Sequence, residues 1–511
     1  MISIFIPNLE ELISVFALIF LIFSFYINGY LITKKQEFNL NFCIGWSLYS
    51  FIFIFFGTLF KIKLSYLIYF YSLVNFVLIL INFQKIRFGE LRYYIFLIPI
   101  LIVFLNTKTH GYDSFAFLLD KVIYLLKFNE FPEALFRSNY PFTSNLIHYY
   151  SNFFVGSLTQ NIPALFDFFL ILGSLGIFSR IFAKRFSTLT INFFIIFASL
   201  IFFNPMIMNV YSFSSYEDFH VAYILLVIFY YNYNNNFDLN KLLNQKIIYI
   251  FLLSLLSLMK ATGFILAGAI LFSNLVIYLI YHKPNIKIIK YFFTMSFLVF
   301  LQFFLWQFHL IVNEIESGNS FKGFRIEVFK NIIENYYNQF LVKKLLILSN
   351  FIFMFSPFFI FSLTKNEKIK KTFIFISIPV FIWNFFHLIF FIFIQGYGHA
   401  IGFHNFFRYL SQFSLIYTFV FLILVISKIQ IQHTKKIKSF SFTIILLTVF
   451  YSIFLLHLKD FRRDLSAEYK IVNSLINEEK FNKIILKKDD YIKLDRVIIG
   501  FYERNYDMLI K

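Results

Sequence analysis

Apolar runs long enough to cross a bilayer recur from one end of this chain to the other, separated by short polar loops. A bilayer core asks for roughly 20 apolar residues per helix and leaves no backbone group unpaired. The runs lack the alternation of a half-buried strand, so they predict helices. They lie near 11–33, 41–60, 65–83, 92–106, 164–182, 188–205, 219–235, 247–259, 262–281, 291–313, 345–364, 372–394, 410–427 and 440–457. The expectation is an all-α, polytopic transmembrane helical bundle of about fourteen spans. Residues 1–106 hold the first four spans, 107–457 a membrane core with a long loop at 107–163, and 458–511 a small extramembrane tail. The runs 247–259 and 262–281 are separated only by Lys260-Ala261, the pattern of a broken helix.

Composition agrees: the 511 residues are 59% hydrophobic, 23% aromatic and only 14% charged, with mean hydropathy +0.73. The net charge of +19 does not point to nucleic acid, because the basic residues lie in short loops and the tail rather than in a stripe interleaved with aromatics. Loop Lys and Arg set topology and touch anionic lipid instead. Cys43 has no second cysteine to pair with. The first residues show no basic stretch or cleavage site, so no removable signal peptide is expected.

Basic residues also orient the chain. With residues 1–10 outside, the inner loops hold the dense sets Lys34-Lys35, Arg180 with Lys184-Arg185, Lys283 to Lys290, and Lys365 to Lys371. The outer loops are longer and more thinly basic. This places 107–163, 206–218, 314–344 and 395–409 on one outer face, together with the tail. In the first of these loops Phe115, Leu118, Leu119, Val122, Ile123 and Leu126 form one helical apolar stripe, with Asp120, Lys121 and Lys127 as its polar side. Such a helix is expected to lie in the membrane interface. The loop 314–344 carries a similar stripe in Phe324, Val328, Phe329, Ile332, Ile333 and Tyr336. The tail reads as a helix near 460–479 followed by a short strand at 483–486.

Four polar features fall on the outer face. In His110-Gly111-Tyr112-Asp113, the aspartate or Ser114 suits the cap of the following helix, and equally a reactive carboxylate at the membrane boundary. In Ser214-Ser215-Tyr216-Glu217-Asp218-Phe219-His220, the spacing Ser214 to Glu217 fits a capping box, but two adjacent acids exceed what a cap needs. Lys260 between two apolar runs is costly unless it snorkels or serves a site. Arg408 at the outer end of a span runs against the positive-inside tendency and carries a fork that grips phosphate. Asp167 is the nearest acid to a span interior. His110, His399 and His404 match no zinc spacing, which leaves acceptor binding or a structural role.

Acids and bases on one face suit transfer from a lipid-phosphate donor. A base takes a proton from an acceptor hydroxyl, and cations neutralise the leaving phosphate. The chain resembles the GT-C class of polytopic membrane glycosyltransferases, which includes protein mannosyltransferases and lipid A aminoarabinose transferases. The resemblance is carried by the Asp113 loop, Tyr140-Pro141-Phe142, Ser215-Tyr216-Glu217-Asp218, Leu258-Met259-Lys260-Ala261-Thr262-Gly263 and Arg408-Tyr409-Leu410, over roughly 90–430. It implies sugar transfer from a polyprenyl-phosphate-linked donor at the outer face of a bacterial inner membrane, with Asp113 as general base. It also implies Glu217 and Asp218 as catalytic acids, Lys260 and Arg408 as donor-phosphate ligands, and His110, Tyr140 and His404 as substrate contacts. Four spans precede the loop here, where the family usually has one, and one acid stands where many members have a pair. A divalent metal is therefore not supported by the ligand spacing. The alternatives are a lipid-linked oligosaccharide flippase or other transporter, and an O-antigen-type ligase or polymerase. Sugar, acceptor and oligomeric state are left open.

Overall fold

The computed structural model describes residues 8–85, 105, 118–131, 141–183, 217–260, 262–315, 323–342, 344–394 and 406–428. The described residues are all-helical, without strands. The helices are α1 (Leu9–Thr33), α2 (Phe38–Leu59), α3 (Leu64–Asn82), α4 (Leu119–Phe128), α5 (Thr143–Phe153), α6 (Ile162–Ala183), α7 (Asp218–Asn234) and α8 (Leu239–Asn244). They continue with α9 (Lys246–Met259), α10 (Gly263–Tyr281), α11 (Ile286–Val312), α12 (Ile326–Val342), α13 (Lys344–Leu363), α14 (Glu367–Phe393), α15 (Phe406–Leu410) and α16 (Ser414–Lys428).

Seven of these, α1, α2, α3, α10, α11, α13 and α14, are long and apolar enough to cross a membrane, which marks a membrane protein. Stretches within α6, α9 and α15–α16 are apolar but shorter, and α7 has 17 residues. The expected spans 92–106 (Leu105 apart), 188–205 and 440–457 and the tail 458–511 lie outside the described residues, as do Asp113, His110, Tyr140 and His404.

The outer surface is apolar where lipid would meet it. On α3, Tyr66, Phe70, Leu73, Phe76 and Ile81 are exposed, and α11 and α13 present similar faces. Polar side chains turn inward and join helices: Asn28 on α1 donates to Tyr71 (3.0 Å) and Asn75 (2.8 Å) on α3, and the Tyr223 hydroxyl of α7 donates to Asn39 of α2 (2.8 Å). Such bonds are favoured between membrane helices, where water offers no alternative partner. The first two helices also approach unusually closely. A Cβ on Gly29 would collide with the Asn41 carbonyl, and one on Gly45 with that of Phe25, so glycine is required at both crossing points.

Helix ends sort onto two sides. On one, Lys35 donates to Gln245 (3.1 Å), Arg180 pairs with Glu37 (3.7 Å), and Lys368 and Lys371 lie over the rings of Tyr233 and Tyr281. On the other, Leu64 N–H bonds the Asn129 carbonyl (2.7 Å), Thr143 the Leu258 carbonyl (2.9 Å), and Arg325 the Phe391 and Ile392 carbonyls. The loops grouped by counting lysines and arginines thus share a side wherever they are described.

The α4 expectation needs correction. Its stripe does not lie in a lipid interface: Leu118, Leu119, Val122 and Ile123 are buried in the protein core and α4 packs on α5. Lys121, assigned to the polar side, is buried too, its ammonium 4.5 Å from the centre of the Phe142 ring. The polar character of α5 makes the difference, because Asn145 accepts the role of partner by donating to the Leu118 carbonyl (2.9 Å). In α12 only part of the stripe is covered: Val328 and Ile332 pack with Leu346, Ile347, Phe391 and Phe406, while Phe324 and Ile333 are exposed.

Candidate functional site

The site forms where three helix ends meet. The chain reverses between α9 and α10 through Lys260, whose backbone is extended (φ −148°, ψ 157°). The return is tight: Gly263 N–H bonds the Lys260 carbonyl (2.8 Å), and a Cβ on Gly263 would strike the Leu256 carbonyl. Helix α7 begins at Asp218, after Glu217. The segment after α15 turns through a short 3₁₀ stretch, Ser411–Phe413, before α16 continues. Each brings a charged or amide side chain to a helix end without disturbing a helix interior.

The helices around this meeting point differ in length. At 1.5 Å per residue, α9 rises only ~21 Å from the lysine-rich side, whereas the 27-residue α11 and α14 reach ~40 Å. Helix α9 is thus about half the length of either neighbour.

Asp218 is the hub. Its Oδ1 accepts from Lys260 Nζ (2.6 Å) and from Gln412 Nε2 (2.6 Å), and Arg408 Nε lies 3.1 Å from Oδ2. The Asp218 side chain is 1% exposed, Arg408 8% and Lys260 15%, so these charges are largely shielded from solvent and each depends on the others. Asp218 precedes the apolar run that begins at Phe219. Burial pushes its carboxyl up, but Lys260 and Arg408 outweigh that and hold it below its usual range. Tyr409 forms the floor: the Lys260 ammonium is 4.9 Å and the Arg408 guanidinium 5.2 Å from its ring centre. His387 stacks on the same ring at 4.6 Å between centroids. Among the described residues neither His387 ring nitrogen has a hydrogen-bond partner, although the ring is buried.

Glu217 goes elsewhere. It sits at the N-cap position of α7 and makes no side-chain cap bond there, while Ser214, the other half of the expected capping box, lies outside the described residues. Its Oε1 instead accepts from the Ser144 hydroxyl of α5 (2.9 Å). Ser144 lies 3.3 Å from His220 Nδ1, and His220 Nε2 lies 2.9 Å from Asp167 Oδ1 of α6. Burial raises the Glu217 pKa, and the nearby Lys121 and Lys260 ammoniums oppose that rise without cancelling it. His148 on α5 is the next titratable neighbour; burial, then the charge of His220, pushes it down to about 3.

Of the residues singled out in the sequence, Asp218, Lys260 and Arg408 come together while the adjacent Glu217 turns to Ser144; Asp113, His110, Tyr140 and His404 lie outside the described residues. Gln412, Ser144, His220 and His387 were not weighed as site residues. Polar residues inside the apolar segments around 220, 387 and 412 were the available signal for three of them. Ser144 had none. Among the described residues no cluster of histidine, cysteine and acidic side chains suits a metal ion. Compared with known proteins, the chain matches no family, no curated protein and no solved structure.

Proposed function

We propose that this protein is a membrane glycosyltransferase that moves a sugar from a polyprenyl-phosphate-linked donor to an acceptor at the outer face of a bacterial inner membrane. The proposal takes the chain as about fourteen spans with a core at 107–457, and retains Asp113 as the general base. The observation that carries it is the convergence of Lys260 and Arg408, from distant parts of the chain, on the single carboxylate of Asp218. One anion between two cations holds them in place and leaves the group net positive. A leaving phosphate needs that arrangement: charges already positioned and little reorganisation at the moment of transfer. Asp218 is then the residue that positions the cations.

A transporter reading has one observation in its favour, the Asp167–His220 pair buried between apolar helices, since ionisable residues in spans mark ion pathways. The helix break at Lys260 fits either reading. A ligase or polymerase of lipid-linked glycans would use the same cations.

The test is a double-mutant cycle on binding of polyprenyl monophosphate to the detergent-solubilised protein. Lys260→Gln and Arg408→Gln should each weaken binding by ~1.5–3 kcal/mol, the range for hydrogen bonds to charged groups. The double variant should lose less than the sum, because both hold one group. Arg408→Lys should rescue poorly if the grip is bidentate. Additive losses, or none, would remove the phosphate assignment.

A further inference from the structure

The acid that does not join the cations ends one hydrogen-bonded chain: Glu217, Ser144, His220 and Asp167 in sequence, joined at 2.9, 3.3 and 2.9 Å. Three helices supply it. Glu217 and His220 are three residues apart, hence on one face at the start of α7, with Ser144 facing them from α5 and Asp167 from α6. All four residues are at most 5% exposed, and the rings of Trp46 and Phe166 close around the imidazole at 5.8 and 5.2 Å. Bulk water is thus kept from the middle of the chain, and protons entering it must be accounted for by its own groups.

With Asp167 taken as a carboxylate, counting donors and acceptors leaves two fully bonded states of the same charge. Asp167 as carboxylate accepts Nε2–H in both. In the first, His220 is neutral, its Nδ1 accepts the Ser144 O–H, and Ser144 Oγ accepts the proton of a protonated Glu217. In the second, His220 is an imidazolium whose Nδ1–H donates to Ser144 Oγ, and the serine O–H donates to a Glu217 carboxylate. The states differ by one step. The Glu217 O–H bond breaks as its proton joins Ser144 Oγ, and the serine's own proton forms the Nδ1–H bond. The original serine O–H bond breaks in the same step, so two protons shift for a net transfer of one, total charge is conserved, and the serine hydroxyl ends reversed.

We propose that Glu217 and His220 share a single proton through the Ser144 hydroxyl, with Asp167 stabilising the imidazolium end. The one proton can then stand at the site on Glu217 or be withdrawn to the buried His220 without the chain opening to solvent. The shared proton stands on the geometry; its use during sugar transfer rests on the transferase reading above. The raised Glu217 pKa accords with a carboxyl that holds a proton in the resting protein. The other charged or titratable groups around the chain are Lys121 from α4, His148 from α5, Lys260 at the α9–α10 break and Asp218 beside Glu217.

The test needs neither donor nor acceptor, so its result is independent of whether the transferase reading holds. The full chain, labelled with ¹⁵N-histidine in detergent, is titrated by NMR, and the His220 signal is identified by its loss in His220→Gln. Glu217→Gln and Ser144→Ala should each displace the Nδ1 protonation midpoint of His220 by about one pH unit or more, the mark of groups that titrate as a pair. If Ser144→Ala does not fold, Ser144→Cys, with its weaker donor, takes its place. A displacement in Glu217→Gln but not in the Ser144 variant would mean charge repulsion or attraction through space and would overturn the wire. An unchanged midpoint in both would overturn it as well.

Discussion

Glu217 and Asp218 are adjacent acids at one helix start, yet they occupy opposite kinds of environment. Asp218 is held ionised by two cations and an amide; Glu217 meets a serine hydroxyl and a route to a neutral-capable histidine. Successive residues on a helix point about 100° apart, so neighbours in sequence face different partners. Here one direction opens on the α9–α10 break and the α15 turn, the other on α5. The lesson is that a doublet of acids at a membrane boundary divides its labour according to what each azimuth faces.

The largest effect should come from removing the hub. Asp218→Ala removes the carboxylate that the mostly buried Lys260 and Arg408 share, and breaking such a group costs about 3–5 kcal/mol. Thermal unfolding in detergent should show it, with part of the loss recovered in Asp218→Ala/Lys260→Met. A stability change under 1 kcal/mol would mean that the cluster is hydrated and the contrast with Glu217 weaker than drawn.

The two acids should also give pH dependences of opposite sign. Asp218 has a depressed pKa, so its stabilisation is present above the unfolded-state value near ~3.9 and is lost as pH falls through the lower folded-state value. Glu217 has a raised pKa, so the folded protein binds a proton that the unfolded chain has released; its contribution declines as pH rises from ~4.3 through the folded-state value. Unfolding temperature measured against pH should therefore lose its decline on the alkaline side in Glu217→Gln and its decline on the acid side in Asp218→Asn. Matching profiles for the two variants would erase the distinction.

A reporter comparison sharpens the placement of both acids. A fusion after Lys371 should read as cytoplasmic and one after His399 as periplasmic, because lysine-rich ends gather on the side opposite the site. The same side for both would end the shared outer face. The smallest effect is expected at that lysine-rich side, where Arg180 and Glu37 pair at 3.7 Å with side chains 23% and 34% exposed. Arg180→Ala should cost only ~0–1 kcal/mol in the same unfolding assay, since exposure and salt screen such pairs. A loss as large as that of Asp218→Ala would show that ion pairs here owe their strength to something other than burial.

Much of this was legible before any coordinates. Membrane helices announce themselves by length and apolarity, so α1, α2, α3, α10, α11, α13 and α14 fall close to the expected spans. Glu217, Asp218, Lys260 and Arg408 stood out because a charge flanked by apolar residues is expensive and needs a reason. The α4 helix was misplaced because an amphipathic stripe reports that a helix has an apolar face, not whether lipid or protein covers it. Ser144, Gln412 and His387 were missed because neutral polar residues are common in membrane helices and gain meaning only from what they meet.

By itself, the sequence determined a membrane protein built on apolar helices and the charged residues too costly to be incidental, because bilayer thickness and charge burial act on local stretches. Only the tertiary structure decided that Lys260, Arg408 and Gln412 converge on Asp218 while Glu217 turns to Ser144, His220 and Asp167. Those partners lie 42 to 194 residues from Asp218 and 53 to 76 residues apart along the other arm, separations that no periodicity encodes. They are set by where α9 breaks and which face of α7 each neighbour covers.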